Sequence, residues 1–395
     1  MRIAIVSDYF LDFVGGAQTS MREQRLALEQ AGHTVVMVSA ARGLRGGRVR
    51  SVDDGLQIQP LFTLPGLDLP VIPNSDKTTG TLERYFREQR IDIVHVQTEF
   101  GLAHAAVVVA RRLGIRVVHT VHTFYWASES GPQASVAPFL RWALQRVIKR
   151  AIPTGTFTPR PADNLLRNLT LAMATRADAV ISPSAHQARD LEDAGVPAPV
   201  AVIPNPITTS PRPSVPLTLE QAATPRFLWV ARCEPIKRPL VFAQAAIEAL
   251  SVVGDAFSVD FVGDGADLAA LQKLADDHPQ LRVHGSLPHA EVLDLMDAAS
   301  AVVLSSLGFD NQPMTIAEAV SRERGVLYCD PKLREGLTRA GILSESPDAA
   351  GLSATIVSLV SDPAQLVALS KGAAADGHEF SAPTYIERVL VVYAP

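Results

Sequence analysis

The chain has 395 residues, 47% of them hydrophobic and 19% charged, with a formal net charge of −5. That length suits two or three domains that each bury a core, and the composition excludes a disordered or low-complexity chain. Two cysteines, Cys233 and Cys329, exclude a disulfide framework and point to a reducing cytosol, and no apolar run approaches the ~18 residues that span a bilayer.

Asp8 and Asp12 interrupt the opening apolar run too early for a secretory signal, so it is expected to be the first strand. Apolar strand-like runs then alternate with helical patterns. Strands are expected at Ile3–Ser7, Thr34–Ser39, Ile93–Gln97, Val117–His122, Ala179–Ser182 and Val200–Pro204. Between them the spacing predicts helices over Gln18–Ala31, Gly80–Gln89, Leu102–Leu113 and His186–Ala194. Six prolines between Pro204 and Pro225 mark a linker. Beyond it, strands are expected at Phe227–Ala231, Ser258–Val262, Arg282–Gly285, Ala301–Leu304 and Gly325–Cys329. Near-continuous Val/Ile strands between helices predict α/β architecture: two doubly wound parallel sheets, with ligands at the carboxyl ends of the strands in a cleft between the domains.

The net charge hides an asymmetry. Residues 1–205 hold 22 Lys/Arg against 18 Asp/Glu, and the remainder 14 against 23. The positive excess lies between Arg111 and Arg176, where ten basic residues face only Glu129 and Asp163. Such a patch attracts lipid head groups or phosphates; no nucleic-acid module accompanies it, so no nucleic-acid partner is expected.

Two charge constellations stand in the second half. Arg232 and Lys237 bracket a short loop after Phe227–Ala231. A guanidinium fork and an ammonium suit a diphosphate, although both residue types also occupy plain surface. Asp310 and Glu318 flank Asn311, Gln312, Pro313, Met314 and Thr315. Pro313 is expected in the first helical turn, which leaves the N–H groups of Met314 and Thr315 for phosphate oxygens. Glu318 leans back toward the helix start, where its carboxylate suits both hydroxyls of a ribose or simply favours the helix dipole. Gly263 and Gly265 offer either a seat for a nucleotide base or an ordinary βα turn. Gly15 and Gly16, before the first long helix, admit a phosphate to its amides or make a tight turn.

His119 and His122 end one expected strand. A spacing of three in a strand sets them on opposite faces, which argues against a shared metal. His122 is expected to reach the cleft, and His95 and His104 to be structural. A helix is expected over Leu140–Ala151. Its apolar stripe runs through Leu140, Ala143, Leu144, Val147, Ile148 and Ala151, and Arg141, Arg146, Lys149 and Arg150 line the other face with Trp142 among them. That face suits an anionic membrane surface, and a core-packed helix with a solvated basic side has the same pattern.

Taken together, these residues resemble the retaining glycosyltransferases of family 4, which have the GT-B fold, over essentially the full length. The resemblance rests on Gly15 and Gly16, Asp92 to His95, His122, Ser182 to Ser184, Val202 to Asn205, Arg232 with Lys237, Gly263 to Gly265, and the Asp310/Glu318 pair. It implies a Rossmann-like acceptor domain over 1–205, a linker over 206–225, a Rossmann-like nucleotide-sugar domain over 226–375, and a helix within 376–395 that returns to the first domain. It also implies that Arg232 and Lys237 stabilise the departing nucleoside diphosphate and that Glu318 binds ribose. Asp310 would contact the donor sugar, and His122 would sit near the reaction centre. Neither cofactor nor metal is implied, only a nucleotide-sugar co-substrate such as GDP-mannose or a UDP-hexose.

Three departures from the family pattern bear on the donor pocket. Asp310 replaces a glutamate. Residues 321–325 replace a small-residue turn followed by proline, and Pro331–Ala340 lacks a double glycine. The basic patch and Trp142 imply a lipid-linked hydroxyl acceptor and a cytoplasmic enzyme, peripheral on the inner membrane face. Residues 64–73 are similar to an acceptor-side loop of transferases that act on diacylglycerol-type lipids. The alternatives are a catalytically silent homologue that binds or scaffolds, and a nucleotide-sugar 2-epimerase.

Overall fold

The computed structural model describes residues 1–12, 15–42, 49–52, 55–64, 69–125, 133–208 and 213–394. They form two compact units: Met1–Thr208 with Ala382–Pro395, and Thr209–Ser381. Residues 65–68 of the segment likened to an acceptor loop lie outside the described residues.

The first unit opens with β1 (Arg2–Val6), α1 (Gly16–Gln30) and β2 (Thr34–Ala40), followed by short strands β3 (Val49–Val52), β4 (Gly55–Ile58), β5 (Phe62–Leu64) and β6 (Leu69–Val71). It continues through α2 (Asp76–Gln89), β7 (Ile93–Val96), α3 (Gly101–Leu113), β8 (Arg116–Thr120), α4 (Gln133–Ile148), α5 (Pro161–Ala174), β9 (Ala179–Ser182), α6 (Ala185–Asp193) and β10 (Ala201–Val202). Eight strands lie in the order β10-β9-β8-β7-β1-β2-β4-β3, parallel except for β3 against β4. Ile3, Ala4, Ile5 and Val6 are fully buried, as strands covered on both faces require. The expected first-half strands and helices are present; β3 to β6 and α5 add to them.

The second unit holds α7 (Leu219–Ala222), β11 (Arg226–Val230), a 3-10 turn at Pro235–Lys237, α8 (Pro239–Val253), β12 (Ser258–Val262), α9 (Leu268–Ala275) and β13 (Leu281–Gly285). Then come α10 (His289–Ala298), β14 (Ala301–Leu304), α11 (Met314–Ser321), β15 (Gly325–Tyr328), β16 (Gly341–Leu343), α12 (Ala349–Ser361) and α13 (Pro363–Asp376). Its six strands, in the order β13-β12-β11-β14-β15-β16, are all parallel. Part of the expected linker folds onto this unit. Leu217 and Ala222 are buried in its core, and the Leu217 amide donates to Ser370 Oγ at 2.9 Å.

The last helix, α14 (Ala382–Tyr393), packs Tyr385, Val389 and Tyr393 against Ile3, Ile5 and Met21 of the first unit. No single helix among the described residues is long and apolar enough to cross a membrane. The one bent pair that passes by length and composition, Ala349–Ser361 with Pro363–Phe380, buries Leu352, Ile356, Leu359 and Leu366 in the second core.

Candidate functional site

In each sheet the strand order reverses beside the first strand of the unit. Chain ends diverge there and leave a crevice at the carboxyl edge. In the second unit this happens between β11 and β14, which pair in parallel with Phe227 opposite Ala301 and Trp229 opposite Val303. The loops after these two strands carry Arg232, Lys237 and Asp310. Residues more than seventy positions apart thereby come together.

Lys237 Nζ and Asp310 Oδ1 form an ion pair, with side chains 18% and 10% exposed. Ser306 Oγ donates to the other oxygen of Asp310, and the Lys237 ammonium lies 5.4 Å from the Phe309 ring centroid. Asp310 therefore balances Lys237, a pairing that sequence positions alone do not show. Arg232 is exposed and, among the described residues, makes no ion pair. Underneath, Trp229 Nε1 donates to Ser305 Oγ at 2.9 Å, and Ser305 Oγ donates to the Lys237 carbonyl at 2.8 Å. This buried pair anchors the cationic loop to the loop after β14.

Pro313 is the N-cap of α11, one residue earlier than expected, with extended ψ of 128°. The Met314 and Thr315 amides still lie in the first turn, where a helix has no acceptors of its own. Thr315 Oγ1 donates to the Val230 carbonyl at 3.3 Å and fastens this helix start to the end of β11. Asn311 and Gln312 are buried, 6% and 8% exposed. Glu318, with a side chain 13% exposed, pairs with His289 at 3.0 Å. His289 is the first residue of α10, at the carboxyl edge after β13. Sequence reasoning passed over it, although its place behind Pro288 at a strand-to-helix turn was an available signal.

Gly263 and Gly265 serve the same loop. Both have positive φ, 144° and 155°, and added Cβ atoms would stand 1.7 Å from the Ala231 carbonyl and 2.5 Å from that of Cys233. The Cys233 amide donates to Asp264 O at 2.9 Å, which closes the contact. The glycines are thus required by the packing of this turn against the cationic loop. Gly263→Ala should lower stability by about 3 kcal/mol or more, read as a fall in Tm, because both φ and space are violated.

Two of the sequence departures have structural partners. Arg322 makes a bidentate pair with Asp297. Arg324, 1% exposed, donates to the carbonyls of Val215 at 2.8 Å, Arg322 at 3.0 Å and Asp297 at 2.5 Å. A buried guanidinium with several acceptors organises the turn that a small-residue sequence makes in the family pattern. In the segment lacking the double glycine, Gly336 has φ of 71° and its amide donates to Glu379 Oε2 at 2.7 Å.

In the first unit the order reverses between β1 and β7. Asp8, after β1, is fully buried and accepts from Thr98 Oγ1 at 2.7 Å and from the amides of Leu102 at 2.7 Å and Ala103 at 3.3 Å. It caps α3 from a distant element. Burial outweighs these hydrogen bonds and pushes its carboxyl up to about 6, with the Glu99 charge adding to the rise. Gly15, in extended conformation, caps α1; a Cβ at Gly16 would meet nothing within 4 Å among the described residues, so no packing requires that glycine.

β8 stops at Thr120, so His122 lies beyond the strand and the alternation argument places only His119, which is buried 3.5 Å from Glu99. His122 Nε2 lies 2.7 Å from Gln97 Oε1. Burial, then the nearby His119, holds its imidazole down to about 4, so it is neutral at physiological pH. His95 is buried between Tyr393 at 2.8 Å and Thr120 at 2.7 Å, and His104 is buried in α3 with Arg176 at 3.2 Å.

α4 differs from its expected span. It starts at Gln133 and ends at Ile148 because Lys149 turns left-handed, with φ of 52°. Leu140, Leu144, Val147 and Ile148 pack with Phe100, Leu165 and Leu169, whereas Ala151 falls past the helix and is exposed, its place taken by Ile152. Arg141 leaves the basic face. It donates to the carbonyls of Ile152 at 2.7 Å and Pro153 at 3.0 Å and so holds the end of the helix. Trp142 is 52% exposed and stacks on Phe139, 68% exposed, at 5.8 Å, and the Arg146 guanidinium covers the Trp142 ring at 4.6 Å. Lys149 pairs with exposed Asp76 at 3.3 Å, and Arg150 is exposed.

Known proteins are similar to this chain. A phosphatidylinositol N-acetylglucosaminyltransferase subunit of Arabidopsis thaliana is 30% identical over 132 residues, 33% of this chain and 29% of that protein. Alpha-monoglucosyldiacylglycerol synthase of Acholeplasma laidlawii is 30% identical over 132 residues, 32% of this chain and 30% of its own length. The matches thus span less than a third of either relative. Sucrose-phosphate synthase from Thermosynechococcus elongatus has the same fold, with a TM-score of 0.69 at 17% identity, covering 99% of this chain and 98% of that one. The architecture is therefore GT-B, with two parallel-sheet Rossmann-like halves. The family model Glycosyl transferases group 1 matches residues 224–362, and Glycosyltransferase Family 4 matches residues 14–152 and 153–211, about half of the chain. The chain belongs to Glycosyltransferase Family 4.

Proposed function

We propose that this protein transfers a hexosyl unit from a nucleotide-diphosphate sugar, GDP-mannose or a UDP-hexose, to the hydroxyl of a lipid-linked acceptor with retention of configuration. The observation that carries this reading is the Lys237–Asp310 pair at the reversal point of the second sheet, with Arg232 on the same loop as Lys237 and the start of α11 tied by Thr315 to the end of β11. As the bond from the anomeric carbon to the diphosphate breaks, negative charge grows on the leaving phosphate. Arg232, Lys237 and the Met314 and Thr315 amides meet that charge without a metal. The acceptor oxygen bonds to the anomeric carbon from the same face and gives its proton to the leaving phosphate. Glu318 accepts from the ribose hydroxyls, and Asp310 turns from Lys237 to the donor sugar once the diphosphate takes over the ammonium.

The lipid-linked acceptor is supported by the exposed Phe139 and Trp142 beside Arg146, aromatic groups with a cation over them, as an anionic interface requires. The names of the two relatives point the same way. The test is flotation with phosphatidylglycerol-containing vesicles, together with incorporation of labelled hexose into lipid from each donor. The protein should float at low salt and be released at high salt, and Trp142→Ala with Arg146→Ala should abolish flotation. Failure to float at low salt sinks the membrane part, and failure of every donor to label an acceptor sinks the transfer reading.

A further inference from the structure

A buried side-chain relay joins α14 to His122. Tyr385 OH donates to Gln24 Oε1 at 3.2 Å, and Gln97 Nε2 donates to the same oxygen at 2.9 Å. Gln24 Nε2 donates to Ser20 Oγ at 2.8 Å, and Ser20 Oγ donates to Asn205 Oδ1 at 2.5 Å. Gln97 turns its remaining group, Oε1, toward His122 Nε2 at 2.7 Å. Tyr385, Gln24, Gln97 and Ser20 are at most 3% exposed. Four polar side chains in a core are costly unless each finds partners, and here they partner one another across α14, α1 and the ends of β7 and β8.

The relay has a direction. The Gln24 carbonyl oxygen, with two lone pairs, accepts from both the Tyr385 hydroxyl and the Gln97 amide nitrogen. That leaves the Gln97 carbonyl oxygen facing His122. A carbonyl oxygen only accepts, so the facing ring nitrogen must carry hydrogen. We propose that Gln97 is a positioning residue that holds His122 as the neutral Nε2–H tautomer, with Nδ1 unprotonated, and that Tyr385 on α14 sets Gln97 through Gln24. Nothing in the local sequence around His122 carries this. Its partner is 25 positions away and the origin of the relay lies in the last helix of the chain. Among the described residues, the ionisable groups near the ring are His119 and His95, with Glu99 against His119.

Use of this tautomer in glycosyl transfer rests on the proposed function, but the tautomer itself does not, and the experiment separates the two. Ring 15N–1H correlation spectra of the full chain, with the His122 signals assigned by their loss in His122→Asn, should show Nε2 protonated and Nδ1 not, unchanged between pH 8 and pH 5. Gln97→Leu should replace that pattern with signals of both tautomers. In Gln97→Glu a carboxylate faces the ring, favours imidazolium and raises its pKa, so the signals should titrate at clearly higher pH. In turnover, Gln97→Leu should lower kcat by roughly tenfold, with donor KM and the thermal shift from UDP or GDP retained. Gln97→Glu should move the lower limb of the pH profile upward. An Nδ1–H tautomer in the wild type, or unchanged His122 signals in Gln97→Leu, overturns the proposal. If no donor supports transfer while the spectra behave as expected, the functional reading fails and the positioning stands.

Discussion

Arg232→Ala should lower kcat/KM by on the order of 10²–10³, the scale seen when one preorganised donor to a developing anion is removed, and should leave Tm unchanged. The structural reason for the second half of that result is that Arg232 is exposed and pairs with no carboxylate among the described residues. Lys237→Ala should lose a similar factor and also lose stability. It strips the cation from Asp310, whose side chain is 10% exposed and keeps the Ser306 hydroxyl as its hydrogen-bond donor. A half-buried carboxylate left without its partner costs on the order of 1–3 kcal/mol. Adding Asp310→Asn to Lys237→Ala should therefore restore Tm without restoring turnover. Near-normal turnover of Arg232→Ala on its true substrates would show that the cationic loop does not face the leaving group.

The second large effect is expected at Glu318. Glu318→Ala should weaken binding of the nucleoside diphosphate by roughly ten- to hundredfold, on the order of the ~1.5–3 kcal/mol attached to hydrogen bonds with a charged group. Isothermal titration measures this directly. The structure shows a competing use for the carboxylate, because Glu318 holds His289, but that histidine is 59% exposed and an exposed pair contributes little. His289→Ala should accordingly leave affinity within a few-fold of wild type. A 2′-deoxyribose analogue sharpens the test: wild type should discriminate against it and Glu318→Ala should not. If Glu318→Ala still discriminates, the ribose is held elsewhere.

How much of this was legible in the residues differs from element to element. Strands β1, β2, β7 and β9 were readable because they are buried in the sheet and therefore rich in Val and Ile. Strands β3 to β6 were not, since VRSV, GLQI, FTL and LPV are broken by polar residues, glycine or proline and show no Val/Ile-rich run. Among the site residues, Arg232, Lys237, Asp310 and Glu318 stood out because charged groups follow apolar strands at the edge where ligands bind. The α4 face was half legible: a stripe shows which side packs, but not that Arg141 turns back to cap the helix end or that Phe139 stacks on Trp142.

By itself, then, the sequence determined the two doubly wound halves and the residues that carry charge to the strand ends, because periodicity and burial on both faces are local properties of a chain. The return of a C-terminal helix was implied only by the family resemblance. Only the tertiary structure decided which of those charges meet. Lys237 reaches Asp310 because β11 and β14 are neighbours in a sheet whose order is not that of the chain. Asp8 caps α3 and Tyr385 reaches toward His122 through Gln24 and Gln97 for the same kind of reason. Partners separated by tens or hundreds of residues leave no spacing to read, and strand order and helix packing set their distance.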